Sequence, residues 1–169
     1  TMKGIKQARS LGVALKQTLQ NKSPEFFYSS PIGRAKQTAT IISDIIDFDT
    51  GLIEYKPSLK EITFGDWDGL NMEEILAGYK SNWENRNADK WSASPPNGES
   101  YQMAQIRVMN FLSEIANKKN VVVVAHGSLN KVIRGFWCNL SETEILSLDE
   151  PQDGFYCLTQ NNSECFIPT

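Results

Sequence analysis

The sequence predicts an α/β fold, a three-layer α/β/α sandwich in which helices cover both faces of a mostly parallel sheet. Strand-like segments alternate with amphipathic helical segments, which is typical of such folds. The four valines at 121–124 show no polar alternation, so both faces of that strand are expected to be buried, as in a parallel sheet. The 169 residues suffice for one core and contain no internal repeat, so residues 1–169 are expected to form a single domain.

The N-terminal part of the chain predicts two helices around a strand. Apolar residues recur at helical spacing over residues 3–20 and again over 33–46, which predicts two amphipathic helices. Between them, the aromatic run 26–30 predicts a short strand. Residues 52–59 predict a short extended segment, which Pro57 confines to a sheet edge or a loop.

The rest of the chain predicts an irregular region, two helices and a hairpin. Residues 61–100 carry three of the four tryptophans and close on Ser-Pro-Pro-Asn-Gly-Glu-Ser, so they are predicted to be irregular. Helical spacing returns over 101–115 and, after the valine run, over 128–137. The tail alternates about an Asn-Asn-Ser turn, which predicts a hairpin over 154–168.

Composition argues against several classes of partner. The net charge of −3 argues against nucleic acid, because phosphate backbones attract basic surfaces. No apolar run approaches the roughly 18 residues of a membrane span, so no membrane partner is expected. The three cysteines are odd in number and lack CxxC spacing, which favours reduced thiols in a cytoplasmic protein over a disulfide framework or a zinc site.

The only histidine of the chain, His126, follows the valine run directly, with Gly127 next and a helix predicted from about Ser128. Ligands of open α/β sheets bind beyond the carboxyl ends of the strands, and helix N-termini attract anions. An imidazolium at this place is expected to bind phosphate. The alternative is a histidine that orients a loop through a single hydrogen bond.

A second polar residue follows a second predicted strand. Arg34 lies in the first turn of the helix after a Ser-Ser-Pro turn, where its charge opposes the helix dipole. This position suggests that the guanidinium binds an anion, because its planar set of N–H donors matches the geometry of phosphate oxygens. The alternative is a solvated surface arginine.

A carboxylate in an aromatic and glycine-rich loop is the third candidate. Glu61 precedes this loop, and a partly dry pocket next to phosphate would make it a proton donor. The alternative is a surface loop that covers the core. Asp66, Asp68 and Glu54 remain open as rivals for this role.

Five segments, in this order, resemble motifs of the histidine phosphatase superfamily, whose fold is phosphoglycerate-mutase-like. "TMKGIKQARSLGVAL" resembles its Thr-x-x-Gly-x-x-Gln-Ala helix, and "SSPIGRAKQTATII" its Ser-Ser-Pro-x-x-Arg-Ala-x-Gln-Thr-Ala signature. "LKEITFGDWDGLNMEEI" is similar to its Glu-x-x-Phe-Gly-x-Trp-Glu-Gly loop, and "PPNGES" to its Pro-x-Gly-Glu-Ser turn. "VVVVAHG" resembles the strand that carries the family's second histidine. Each motif alone is weak, but the ordered set is specific and covers nearly the whole chain.

The resemblance implies roles for the matched residues. Arg34 would bind the phosphoryl oxygens, and His126 would be a second phosphate ligand, with the Gly127 amide beside it. Glu61 would protonate the leaving alkoxide and then activate water. Ser30 and Glu99 would contact the phosphate-binding side chains without touching the phosphate themselves. No metal and no cofactor is implied, because cationic side chains supply the electrostatic stabilisation.

The implied function is a metal-independent phosphoric monoester hydrolase that acts on small-molecule phosphate esters through a phosphohistidine intermediate. One alternative is a phosphotransferase of the phosphoglycerate mutase type, and another is an inactive module that binds phosphoanions. The resemblance leaves the ester unidentified. Four residues between Glu61 and Ser100 are candidates for contacting its organic half, although core packing is the favoured role for each of the two tryptophans: Asn82, Trp83, Asn85 and Trp91.

The family's nucleophile is a histidine in an Arg-His-Gly motif at the end of the first, central strand, which is expected upstream of Thr1. His126 matches the second histidine and cannot fill both roles, so residues 1–169 alone are not expected to turn over phosphate esters. If Met2 is instead the true start, the missing strand leaves unpaired strand edges. Such a domain is expected to rearrange, to form a homodimer through the gap or to aggregate.

Overall fold

The computed structural model describes residues 1–169, which form six helices and five strands. In chain order they are α1 (Met2–Thr18), β1 (Phe26–Ser29), α2 (Gly33–Ile45), β2 (Glu54–Tyr55), α3 (Met72–Ala88), α4 (Tyr101–Ile115), β3 (Val121–Val124), α5 (Gly127–Trp137), α6 (Glu142–Ser147), β4 (Gly154–Thr159) and β5 (Ser163–Pro168). None of the helices has the length and apolar composition that crossing a bilayer requires.

The strands form two sheets. The larger sheet has the order β2-β1-β3 and is parallel throughout, with Tyr28 opposite both Glu54 and Val123. Strands β4 and β5 form a separate antiparallel pair, the predicted hairpin. Because the strands of the larger sheet are parallel, their carboxyl ends lie at one edge of the fold.

Helices cover both faces of the larger sheet. Tyr28 points from β1 into a core cluster that includes Phe111 of α4 and Leu129 of α5. The neighbouring Phe27 points the other way and packs with Ile42 of α2 and with Leu11 of α1. This alternation along β1 confirms the three-layer α/β/α fold with a parallel central sheet.

The valine strand is less buried than predicted. Of the four residues of β3 only Val122 is buried, and Val121, Val123 and Val124 are partly exposed. Both faces of β3 nevertheless pack against the core, with Val123 against the Tyr28 cluster and Val124 against the Phe27 cluster, so the expectation is confirmed for the packing but burial is incomplete. The physical reason is that β3 lies at the edge of the larger sheet, so no strand lies against its outer side.

The region predicted to be irregular contains a long helix, α3, so that prediction is wrong over residues 72–88. Asn71 caps the helix by accepting a hydrogen bond from the Glu74 amide, and the Glu74 carboxylate accepts one from the Asn71 amide. This reciprocal pair is a capping box, which stabilises the first turn. The helix is kinked at Tyr79, where φ is −138° and ψ is 28°.

Candidate active site

Two strand ends bring the only histidine into contact with a serine. Ser30 directly follows β1, and His126 lies just beyond β3, at the residue that precedes α5. The Ser30 amide continues the sheet by donating to the Val124 carbonyl at 2.9 Å. As a result, His126 Nε2 lies 2.8 Å from Ser30 Oγ, and both side chains are buried.

The same turn places Arg34 against the histidine. Ser30 Oγ accepts a hydrogen bond from the Ile32 amide at 3.2 Å, which fixes the turn that leads into α2. From the first turn of α2, Arg34 Nε donates to His126 Nδ1 at 3.1 Å. The two terminal nitrogens of this exposed guanidinium have no partner in the protein. They are therefore free to bind an anion at the carboxyl ends of β1 and β3.

The contact with Arg34 defines the protonation state of His126. An arginine side chain stays protonated, so Nδ1 must accept, and the single imidazole proton lies on Nε2, facing Ser30 Oγ. Burial, followed by the positive charges of Arg34 and Arg107, lowers the pKa of His126 to about 4. With this pKa, His126 is neutral at pH 7 when no anion is bound, and the imidazolium expected to bind phosphate stays a prediction.

Glu61 is linked to this site through the first turn of α5. Its Oε1 accepts hydrogen bonds from the Ile62 amide at 3.0 Å and from the Leu129 amide at 3.2 Å. Leu129 belongs to the first turn of α5, the helix that begins directly after His126. The Glu61 carboxylate thus occupies the N-terminal end of α5, where the helix dipole favours negative charge.

The rival carboxylates are engaged elsewhere. Asp66 accepts two hydrogen bonds from the side chain of Asn97, at 3.0 and 3.1 Å. Asp68 accepts from the Thr63 hydroxyl at 2.9 Å, and Glu54 on β2 pairs with a lysine. Of the four candidates, only Glu61 contacts α5.

Gly127, the predicted phosphate-binding amide, is the first residue of α5, and its N–H has no acceptor in the protein. A Cβ at this position would collide with the carboxylate of Glu150, so the Glu150 side chain lies close to Gly127. Glu150 pairs with Lys131 at 3.2 Å. No motif in the sequence pointed to this neighbour, which comes from the segment ahead of β4.

A cleft of about 530 Å³ opens beside Glu61. Its lining includes Ile32, Lys60, Glu99, Met103 and Arg107, so it carries side chains of both signs of charge beside apolar ones. None of the four residues singled out for the organic half of a substrate lines it. Trp91 is instead buried in the core, where it stacks on Tyr101.

A sequence model of the histidine phosphatase superfamily (branch 1) matches residues 1–167. The chain belongs to this superfamily. It is 30% identical over 157 residues to the 2,3-bisphosphoglycerate-dependent phosphoglycerate mutase of Bartonella henselae, covering 87% of this chain and 73% of that protein. It is also 30% identical over 132 residues to the 6-phosphofructo-2-kinase/fructose-2,6-bisphosphatase of Caenorhabditis elegans, covering 78% of this chain but only 28% of that protein. The chain is therefore phosphatase- or mutase-like, and it spans only a part of some relatives.

Solved structures of the superfamily share the fold. The α-ribazole phosphatase of Shigella flexneri superposes with a TM-score of 0.80 at 22% identity, covering 99% of this chain and 82% of that one. A mycobacterial glucosyl-3-phosphoglycerate phosphatase, in complex with inorganic phosphate, gives a TM-score of 0.72 at 23% identity, with coverage of 88% and 73%. At this level of identity the likeness concerns the fold, and it confirms the predicted phosphoglycerate-mutase-like architecture.

In this chain, several of the residues that match the superfamily motifs lie together. Arg34 and Ser30 both contact His126, and Glu61 contacts the helix that His126 precedes. Glu99 instead forms an ion pair with Arg107, a residue that the sequence did not identify as a candidate for the site. Arg107 lies on α4 outside the quoted motifs, and only the folded chain brings it to the cleft.

Proposed function

We propose that the protein is a metal-independent phosphoric monoester hydrolase that acts on small-molecule phosphate esters through a phosphohistidine intermediate. The observation that carries this proposal is the contact between Arg34 and His126, which leaves two guanidinium nitrogens free at the carboxyl ends of two parallel strands. Anions bind at such places because strand ends and helix N-termini converge there. Membership in the superfamily supports the same reaction class.

Each residue has a role in this proposal. The free nitrogens of Arg34 bind two phosphoryl oxygens, and their charge stabilises the transferring group. His126 takes up a proton when the dianion binds and then donates to a third oxygen. The Gly127 amide, at the positive end of α5, lies beside it.

Glu61 acts first as an acid and then as a base. In the first step the bond from phosphorus to the leaving oxygen breaks, the bond from the nucleophilic nitrogen to phosphorus forms, and Glu61 protonates the leaving oxygen. In the second step Glu61 takes a proton from water as its oxygen attacks phosphorus, which releases the histidine and inorganic phosphate. The cleft beside Glu61 accommodates the leaving alcohol.

The nucleophilic histidine belongs, in this proposal, to a strand upstream of Thr1. The outer side of β3 supports this assignment, because three of its four valines are partly exposed at a sheet edge. A parallel strand paired there would cover these valines and would end beside His126. Its carboxyl end would then face Arg34 across the anion site.

The test is turnover of p-nitrophenyl phosphate by the full-length protein in the presence of a metal chelator. We expect hydrolysis, and we expect Arg34→Ala to lower kcat/KM by about 10²–10³-fold, the cost of removing a donor to a developing charge. Arg9→Ala is the matched control, since Arg9 is an exposed arginine on α1 without an ion-pair partner. Absence of turnover, or equal rates for the two variants, would overturn the proposal.

A further inference from the structure

An ion pair in the lining of the cleft does not involve any of the residues proposed to touch phosphate. Arg107 Nε and Nη2 donate to the two carboxylate oxygens of Glu99, at 2.8 and 2.7 Å. The two side chains are only 21% and 16% exposed. A bidentate pair that is largely shielded from water is directional, so it defines the position of whatever is attached to it.

This pair is attached to the chain on both sides of Glu61. Arg107 Nη1 donates to the carbonyl of Ser58, upstream of Glu61. The backbone amide of Glu99 donates to the carbonyl of Thr63, downstream of Glu61, at 2.9 Å. The segment 58–63 is therefore held at both ends by two residues that are themselves bound to each other.

The loop beyond Glu61 has little room to move relative to this pair. Gly98 lies so close that a Cβ there would be 2.9 Å from the Thr63 carbonyl oxygen. Gly65 adopts φ +55°, and a Cβ there would collide with the backbone of the Pro96 region. Contacts between two backbones are stiffer than contacts between flexible side chains, so a displacement of Glu99 is transmitted to the Glu61 segment.

Arg107 makes more guanidinium hydrogen bonds within the protein than Arg34 does. All three of its guanidinium nitrogens are occupied, two by Glu99 and one by the Ser58 carbonyl. Arg34, by contrast, uses only Nε within the protein. The two arginines near the site therefore differ in their contacts: Arg34 leaves both terminal nitrogens without a protein partner, whereas each guanidinium nitrogen of Arg107 donates within the protein.

We propose that Arg107, through its ion pair with Glu99 and its bond to Ser58, is a positioning residue that holds the Glu61 carboxylate against the N-terminus of α5. This inference rests on the proposed function only for the role of Glu61 as acid. The positive charge of Arg107 also contributes to the lowered pKa of His126, which links the pair to the anion site electrostatically.

The first test compares two phosphate esters in the full-length protein. An alkyl phosphate needs Glu61 to protonate its leaving oxygen, whereas p-nitrophenolate leaves without a proton. We expect Arg107→Met to slow the first turnover of an alkyl phosphate by about 10²-fold, the scale of general acid catalysis, and to leave the first-turnover release of p-nitrophenolate nearly unchanged. Arg107→Lys keeps the charge but not the fork, so it is expected to restore only part of the loss.

The matched control is Lys16→Met, which removes an ion pair of 2.6 Å between α1 and Asp47, away from the cleft. This variant is expected to show the same first-turnover rates with both esters as the unchanged protein. An equal slowing of both esters by Arg107→Met would contradict the inference, because a general loss of structure does not discriminate between leaving groups. Turnover of neither ester by the unchanged protein would overturn the proposed function instead.

The second test does not depend on turnover. Amide hydrogen exchange is measured over residues 58–65 and at Leu129, whose amide binds Glu61. Faster exchange is expected in Arg107→Met but not in Lys16→Met, because only the former releases the Glu61 segment. Unchanged exchange in folded Arg107→Met protein, or in Arg107→Lys if the former does not fold, would overturn the positioning role.

Discussion

At the scale of single residues, the protonation of His126 is the property that the local contacts define most sharply. Arg34 Nε occupies Nδ1 as a donor, so protonation at Nδ1 breaks that bond and places two positive groups side by side. Binding of a dianion between the two groups offsets the electrostatic repulsion between their positive charges. The anion site is therefore expected to take up a proton when it fills.

The titration of His126 tests this expectation. In a polypeptide of residues 1–169 it is the only histidine, so its ring resonance is unambiguous in NMR spectra. We expect a midpoint near the pKa of about 4 without an anion and a clearly higher midpoint with sulfate, which remains a dianion throughout this range. A midpoint near 6.5 without sulfate would contradict the neutral, arginine-bound imidazole.

The same pKa makes stability depend on pH. The histidine titrates at about 4 in the fold against 6.5 in the unfolded chain, so the unfolded state binds more protons as the pH falls through this window. The free energy of unfolding should therefore fall on going from pH 7 to pH 5, with His126 contributing on the order of 1–2 kcal/mol of the loss. Urea unfolding of the unchanged protein and of His126→Asn measures it. An equal loss in both proteins would show that other groups are responsible.

At the scale of elements, the loop from Glu61 to Gly69 depends on two glycines for different reasons. Gly65 combines φ +55° with a close approach to the Pro96 backbone, whereas Gly69 has φ +87° but open space around it. Gly65→Ala is expected to lower the free energy of unfolding more than Gly69→Ala does. The Gly69→Ala variant adds only backbone strain, of about 1–3 kcal/mol. Urea unfolding of the two variants measures the difference. Equal destabilisation would mean that the close contact between Gly65 and the Pro96 backbone does not add to the destabilisation by Gly65→Ala.

Elements were predictable from the sequence where periodicity was strong. The helical spacing of α1, α2, α4 and α5 and the alternation in the tail hairpin predicted those elements correctly. The helix α3 was missed because its apolar residues do not form a clear stripe and tryptophans suggested a loop. Its capping box, Asn71 with Glu74, was a signal present in the sequence.

The candidate site was predictable to the extent that motifs carry it. Arg34, Glu61 and His126 each follow a strand or precede a helix in a recognisable motif, and the fold brings them together. Arg107 could not be found in this way, because its partners Glu99 and Ser58 are specified by packing between α4 and a distant loop. The neutral tautomer of His126 likewise follows from three-dimensional contacts alone.

At the scale of the whole molecule, the two sheets have edges that a further strand can complete. The strand β3 ends the larger sheet with partly exposed valines, and β4 belongs to a separate pair. Unpaired edges of this kind promote association. A polypeptide limited to residues 1–169 is therefore expected to self-associate as its concentration rises.

Analytical ultracentrifugation of this polypeptide, alone and with the proposed upstream strand included, measures the effect. Including the strand is expected to reduce the association, because it pairs the exposed edge of β3. Association that is insensitive to the strand would mean that another surface is responsible.

The most direct test of the central claim is to trap the phosphoenzyme. The full-length protein is mixed with a phosphate ester, quenched under alkaline conditions that preserve phosphohistidine, digested and examined by mass spectrometry. We expect one phosphoryl group on a histidine upstream of Thr1, at greatly reduced occupancy in Arg34→Ala. A phosphoryl group on His126 itself, or no phosphoenzyme although the ester is hydrolysed, would contradict a site in which Arg34 and His126 bind the phosphoryl group that another histidine accepts.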